Sequence, residues 1–193
     1  MSERIRSFIA VEVPPESAEK IRAAQQRLRA TDASVKWVDP DNFHITLKFL
    51  GNIEQERLTD VWRSTAAALD GSEPFTMRFR GVGAFPNASR PRVVWAGITE
   101  GADELAELAA RVEEACEKHG FERERRPFRA HLTLGRVRRP GPNAALAEAL
   151  AEQGERDLGE TRVERALLMR SDLTRAGAVY RILEEVPLGR RER

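Results

Sequence analysis

The sequence predicts one bilobal unit of mixed strands and helices, spanning residues 1–193, on three observations. Strand-like and helix-like segments alternate from end to end. A four-residue pattern, His-x-Thr-Leu, occurs twice in strand context, at His44–Leu47 and His131–Leu134, 87 residues apart. No Pro/Gly/Ser-rich stretch separates the halves, so they are expected to pack as one body with a cleft between equivalent strands.

Ser7 to Val13 alternates as a strand, and Pro14-Pro15 punctuates it before a helix from Glu16 to Leu28. Val35–Val38 and Phe43–Leu50 read as two strands joined by the turn Asp39-Pro40-Asp41-Asn42. Leu58, Val61, Trp62, Thr65 and Leu69 have helical spacing within Glu56–Leu69. Phe75–Val82 and Arg92–Ile98 alternate as strands, with Trp95 read as core and Arg90 and Arg92 adding charge around Pro91. A helix over Asp103–His119 carries Leu105, Leu108, Val112 and Ala115 on one face. Next come a strand at His131–Val137, a short helix at Asn143–Glu152, and closing strands at Val163–Ser171 and Val179–Val186. The tail 188–193 is expected to fray.

Composition excludes several classes. With 41% hydrophobic and 33% charged residues the chain is neither disordered nor a membrane protein. Its N-terminus reads as a first strand rather than a signal peptide, and a cytoplasmic monomer is expected. The single cysteine, Cys116, cannot form an internal disulfide or a thiolate metal cluster. No His-Glu-x-x-His, Gly-x-Ser-x-Gly or Gly-x-Gly-x-x-Gly is present, which leaves metal, serine-nucleophile and dinucleotide chemistry without a motif. A net charge of +1 hides one basic field: Phe121–Arg139 holds seven arginines and two glutamates, a setting that suits an anionic ligand.

Strand alternation turns the two motifs into chemistry. Phe43, Ile45, Leu47 and Phe49 form one face, and His44, Thr46 and Lys48 the other. In the second copy Leu132 and Leu134 face the core, whereas Arg129, His131 and Thr133 share the opposite side. Imidazole and hydroxyl then sit about 7 Å apart along the strand, enough to straddle one tetrahedral phosphate. Two such strands face to face supply a base for an attacking oxygen, an acid for a leaving oxygen, and hydroxyl donors between them. Histidine suits both roles because its pKa of about 6.5 lies near working pH. One His-x-Thr alone is ordinary surface; two copies using two of the three histidines are not. The third, His119, precedes Gly120 at a helix end, where a cation favours the dipole.

These paired motifs resemble the signature of the two-histidine (2H) phosphoesterases, and within them the RNA 2′,3′-cyclic phosphodiesterases, also called 2′-5′ RNA ligases. FIAVEVP, HITLKFLG, RPRVVWAG and RPFRAHLTLGR carry the likeness along nearly the whole chain, more weakly after Pro140. The resemblance implies an α+β fold with two antiparallel sheets lining a central cleft and helices packed outside. It implies metal-independent hydrolysis, without cofactor, of a 2′,3′-cyclic phosphate at an RNA end to a 2′-phosphomonoester. By similarity His44 is the general acid for the 3′-oxygen and His131 the base, an order that the sequence itself leaves open. Thr46 and Thr133 map onto phosphate-binding hydroxyls. Phe49 matches a base-stacking aromatic, yet alternation places it in the core, and both readings stand. Arg136 matches an arginine near the phosphate but lies opposite His131 by alternation, unless Gly135 allows a bulge; Arg129 needs none.

The expected partner is RNA with a 2′,3′-cyclic phosphate end, tRNA fragments included, with reversible 2′-5′ joining as a related activity. A non-catalytic RNA-end binder and a phosphodiesterase for a small cyclic nucleotide are the competing readings. The presence of both histidines and both threonines favours the enzyme.

Overall fold

In the computed structural model, residues 3–175 and 177–189 are described. Among them, nine strands form two sheets in which every neighbouring pair is antiparallel. The first sheet has the order β3-β1-β8-β9, built from β1 (Arg4–Glu12), β3 (His44–Glu54), β8 (Arg165–Leu173) and β9 (Ala178–Pro187). The second has the order β2-β6-β5-β4-β7, from β2 (Val35–Trp37), β4 (Phe75–Phe85), β5 (Val93–Glu100), β6 (His131–Val137) and β7 (Asp157–Val163). Helices α2 (Gln55–Leu69) and α3 (Ala102–Glu117) pack on each other and on β3. Helices α1 (Glu19–Arg29) and α4 (Ala144–Glu152) cover the second sheet through β7 and β4.

Each helix buries the stripe its spacing predicts. Ile21, Ala24 and Leu28 of α1, and Leu105, Leu108 and Val112 of α3, are fully or almost fully enclosed. Transfer of this apolar surface out of water drives both helix layers onto their sheets. The α+β class with two antiparallel sheets and outer helices is therefore the architecture observed.

The route of the chain differs from a simple tandem of halves. Each sheet draws strands from both halves: β1 and β3 join β8 and β9, whereas β2, β4 and β5 join β6 and β7. Val35–Trp37 and the strand after it are consequently not a hairpin. Between them Pro40–Asn42 forms a 3-10 turn, with the Asp39 side chain accepting from Asp41 N–H at 3.1 Å. That turn sends the chain from the second sheet to the first.

Two elements depart from periodicity. Strand β7 is not evident in the sequence because it bulges: Phe79 pairs with Gly159 and Arg80 with Asp157, leaving Leu158 unpaired. The bulge shifts the buried positions to Leu158, Thr161 and Val163 and erases the alternation. The expected fraying also fails at its first two residues. Leu188 is buried and donates N–H to Glu164 O at 2.7 Å, and Gly189 N–H reaches Ser72 O at 2.6 Å. Residues 190–193 lie outside the described residues.

Leu188→Ala should therefore destabilise the protein by about 2–4 kcal/mol, read from the urea midpoint at unchanged m-value. A frayed residue would give no shift.

Candidate active site

Strands β3 and β6 meet across the junction of the two sheets. A cavity of about 1260 Å³ opens there, lined by His44, Thr46, Phe49, His131, Thr133 and Arg136, with Phe85 and Tyr180 on its walls. Arg129 also lines it. All seven residues singled out in the sequence thus border one space.

The two imidazoles are held alike. His44 Nδ1 lies 2.7 Å from Asn42 O, and His131 Nδ1 lies 2.7 Å from Arg129 O. A carbonyl only accepts, so each Nδ1 carries the hydrogen and donates it. That leaves Nε2 of each ring as the nitrogen available for proton exchange. Aromatic rings fix the orientations: Phe8 lies 4.8 Å from His44 between centroids, Tyr180 meets it edge-on at 5.1 Å, and Phe85 meets His131 edge-on at 5.1 Å. Burial against these rings lowers the pKa of both histidines below 6.5, and the carbonyl bonds oppose it only in part. The charge of Arg136 pushes His131 further down. Burial likewise raises Tyr180 above the ordinary phenol range.

Matching bulges explain what strict alternation misassigns. In β3, Lys48 pairs with Ile9 and Thr46 with Ala10, so Leu47 has no partner. In β6, Gly135 pairs with Val94 and Thr133 with Trp95, so Leu134 has none. Each bulge falls on the leucine of His-x-Thr-Leu and inverts the parity of the residues that follow it, until in β3 a second bulge at Leu50 restores it. The residue five after each histidine is thereby turned to the histidine side. Phe49 is 53% exposed in the cavity instead of packed in the core, and Arg136 borders the cavity beside His131. The glycine that suggested a bulge does mark one.

Lys48 goes the other way. It borders the cavity but offers it no free charge: its side chain is buried, and Nζ donates to both Glu113 carboxylate oxygens and to Glu122 O, each at 2.8 Å. At the equivalent position, a Cβ on Gly135 would come within 2.6 Å of Val35 Cγ1 and 2.9 Å of Trp37 Cε3. Strand β2 leaves no room there. Buried Gln25 of α1 secures this second bulge by donating to Leu134 O at 3.0 Å and Val38 O at 2.8 Å.

Residues 11–95 and 97–180 match the LigT-like phosphoesterase family, and each stretch contains one motif. The chain belongs to this family. It is 36% identical over 181 residues to the RNA 2′,3′-cyclic phosphodiesterase of Methanothermobacter thermautotrophicus, covering 94% of this chain and 97% of that protein. It is 39% identical over 179 residues to the one from Archaeoglobus fulgidus, covering 93% and 98%. Among solved structures, TT0787 of Thermus thermophilus superposes with a TM-score of 0.81 at 32% identity, covering 96% and 99%. Escherichia coli LigT complexed with 3′-AMP does so at 0.74 and 26%, covering 96% and 99%.

Phe8, Phe85 and Tyr180, the rings that pack on the imidazoles of this LigT-like phosphoesterase, belong to no motif in the sequence. Tyr180 is the one tyrosine in the chain, the only signal that singles it out. His119 is structural, its Nε2 lying 2.7 Å from Ser64 Oγ. Cys116 is enclosed on α3 with its thiol pushed up to about 11 by burial, an unreactive group. Among the described residues no cluster of three or more His, Cys, Asp or Glu is placed to hold a metal ion, and no helix is long and apolar enough to cross a membrane.

Lys48→Met or Glu113→Gln alone should cost about 3–5 kcal/mol by stranding a buried charge, and the double change Lys48→Met/Glu113→Leu should recover most of it by thermal melting. Because their folded pKa values are depressed, His44 and His131 stabilise the fold above about pH 6.5, and this is lost as pH falls through the folded values. Nitrogen-15 spectra should show the Nδ1–H tautomer for both rings at neutral pH. Titration of either above about 6.5 would contradict the site.

Proposed function

We propose that this chain hydrolyses the 2′,3′-cyclic phosphate of an RNA end to a 2′-phosphomonoester, using His131 as base and His44 as acid. The observation that carries this reading is the pair of imidazoles, each tied by Nδ1 to a backbone carbonyl and each on a strand face with a threonine in the same cavity. The names of the relatives from Methanothermobacter and Archaeoglobus, and the 3′-AMP complex of the Escherichia coli protein, support the substrate class.

The reaction uses what the chain supplies. Thr46 and Thr133 donate to non-bridging oxygens, with Arg136 and Arg129 neutralising charge as it gathers on them. His131 Nε2 takes a proton from water as its oxygen bonds to phosphorus. The P–O3′ bond breaks, and His44 Nε2–H protonates the departing O3′. One water is consumed, and the products are a 2′-phosphomonoester and a free 3′-hydroxyl. The histidines finish in exchanged protonation states and reset through solvent. A ribose 5′-hydroxyl in the place of water, deprotonated by the same base, would give a 2′-5′ linkage. Phe49, turned to the cavity beside Phe8 at 5.8 Å between centroids, offers a face for a nucleobase.

His44→Ala and His131→Ala should each lower kcat by about 10²–10⁴-fold on a 2′,3′-cyclic-phosphate oligonucleotide, with activity in EDTA retained. Full activity in either variant would sink the proposal. A 3′-phosphate product would exchange the roles of the two histidines while keeping the pair. The base must be neutral and the acid charged, so kcat/KM should be bell-shaped. Since burial lowers both values in the free enzyme, its centre should fall on the acid side of about 6.5.

A further inference from the structure

The cavity is larger than the roughly 300–1,000 Å³ of a site that encloses one small molecule, and its charge is unevenly placed. Five arginines line it: Arg90, Arg92, Arg126, Arg129 and Arg136. All five belong to the β4–β5 turn, to β6, or to the segment leading into β6; β3, the motif strand of the first sheet, brings Phe49 and one cation, Lys48, whose charge is taken up by Glu113. Among the described residues none of the five makes an ion pair with a carboxylate, although Glu124 also borders the space. Arginines elsewhere on the sheets are taken up, Arg78 by Glu100 and Glu160, Arg80 by Glu155, and Arg170 by Glu3 and Asp172. Guanidinium groups left unpaired around a cavity form a standing anion site.

Arg129 and Arg136 flank His131 and serve the reacting phosphate. Arg92 and Arg90 continue the charge outward on a fixed turn. Arg92 O accepts from Val137 N–H at 2.9 Å, which sets Arg92 beside Arg136 at the same end of the sheet, and Arg92 N–H closes the turn on Phe85 O at 2.7 Å. The Asn87 side chain accepts from Arg90 N–H at 3.0 Å and from Ser89 Oγ at 2.7 Å. The turn is thus tied at both ends, and Arg90 rides on it.

We propose that Arg90 and Arg92 form a second phosphate subsite that holds the internucleotide phosphodiester on the 5′ side of the terminal nucleotide. This rests on the cyclic-phosphodiesterase reading and sharpens its substrate class: a polynucleotide end rather than a free cyclic mononucleotide. Phosphates lie along the arginine-bearing sheet, and bases face the wall that carries Phe49.

The test compares Arg90→Gln/Arg92→Gln with the parent protein on two substrates, a single-stranded oligoribonucleotide ending in a 2′,3′-cyclic phosphate and adenosine 2′,3′-cyclic monophosphate. The expected result is an increase of about tenfold or more in KM for the oligonucleotide at unchanged kcat, with mononucleotide kinetics within about twofold. The dependence of log KM on log salt should flatten by about 0.7 for each arginine removed. Equal effects on both substrates, or none on either, would overturn the subsite. If the parent protein converts neither substrate, the catalytic reading fails, and fluorescence anisotropy of the same oligonucleotide decides the subsite separately. Salt-sensitive binding weakened by the double change supports it, and binding indifferent to the change removes it.

Discussion

The cleft depends on one irregularity made twice. A regular strand places every second side chain on one face, so the residue five after each histidine belongs in the core. Leaving Leu47 and Leu134 unpaired adds one residue to each strand and inverts that assignment. The bulges bring Phe49 to the cavity beside His44 and Thr46 of β3, and Arg136 beside His131 and Thr133 of β6. A regular ladder of the same sequence would bury the Arg136 guanidinium and leave the cavity without it.

An interrupted ladder needs outside support, and the two sheets provide it differently. Strand β6 is internal, flanked by β2 and β5, and the crowding of Val35 and Trp37 at Gly135 excludes any side chain there. Its carbonyl at Leu134 is satisfied by Gln25 and by Val38 N–H. Strand β3 is an edge, so the equivalent position has space, and Lys48 fills it by reaching Glu113 and Glu122 O. Glu113 also accepts from Glu124 N–H at 3.4 Å, which ties the segment approaching Arg126 and Arg129 to the same buried pair. The ion pair links the first bulge to the loop that brings charge to the second sheet's side of the cavity.

Around the histidines, apolar packing and hydrogen bonding pull against each other. Phe8 and Tyr180 against His44, and Phe85 against His131, favour neutral imidazole by excluding water, while the carbonyls at Asn42 and Arg129 favour the charged form and fix the tautomer. Burial wins in both. The net effect is that both rings favour the neutral form more than a free imidazole does.

The alternation of elements, the two antiparallel-sheet layers implied by the family likeness, and both His-Thr pairs are written in the linear chain. These are legible because helix and strand periods, and a motif repeated 87 residues apart, are local properties of the chain. It also marked Gly135 as a place where alternation could break. Folding in three dimensions sets the rest: the sheets share strands from both halves, Phe49 faces the cavity while the Lys48 ammonium is buried, and Phe8, Phe85 and Tyr180 pack on the imidazoles. Each of these turns on contacts between segments far apart in sequence: Ile9 against Lys48, Val94 against Gly135, Lys48 against Glu113, Tyr180 against His44. A bulge is a property of two paired strands, and no single strand's pattern contains it.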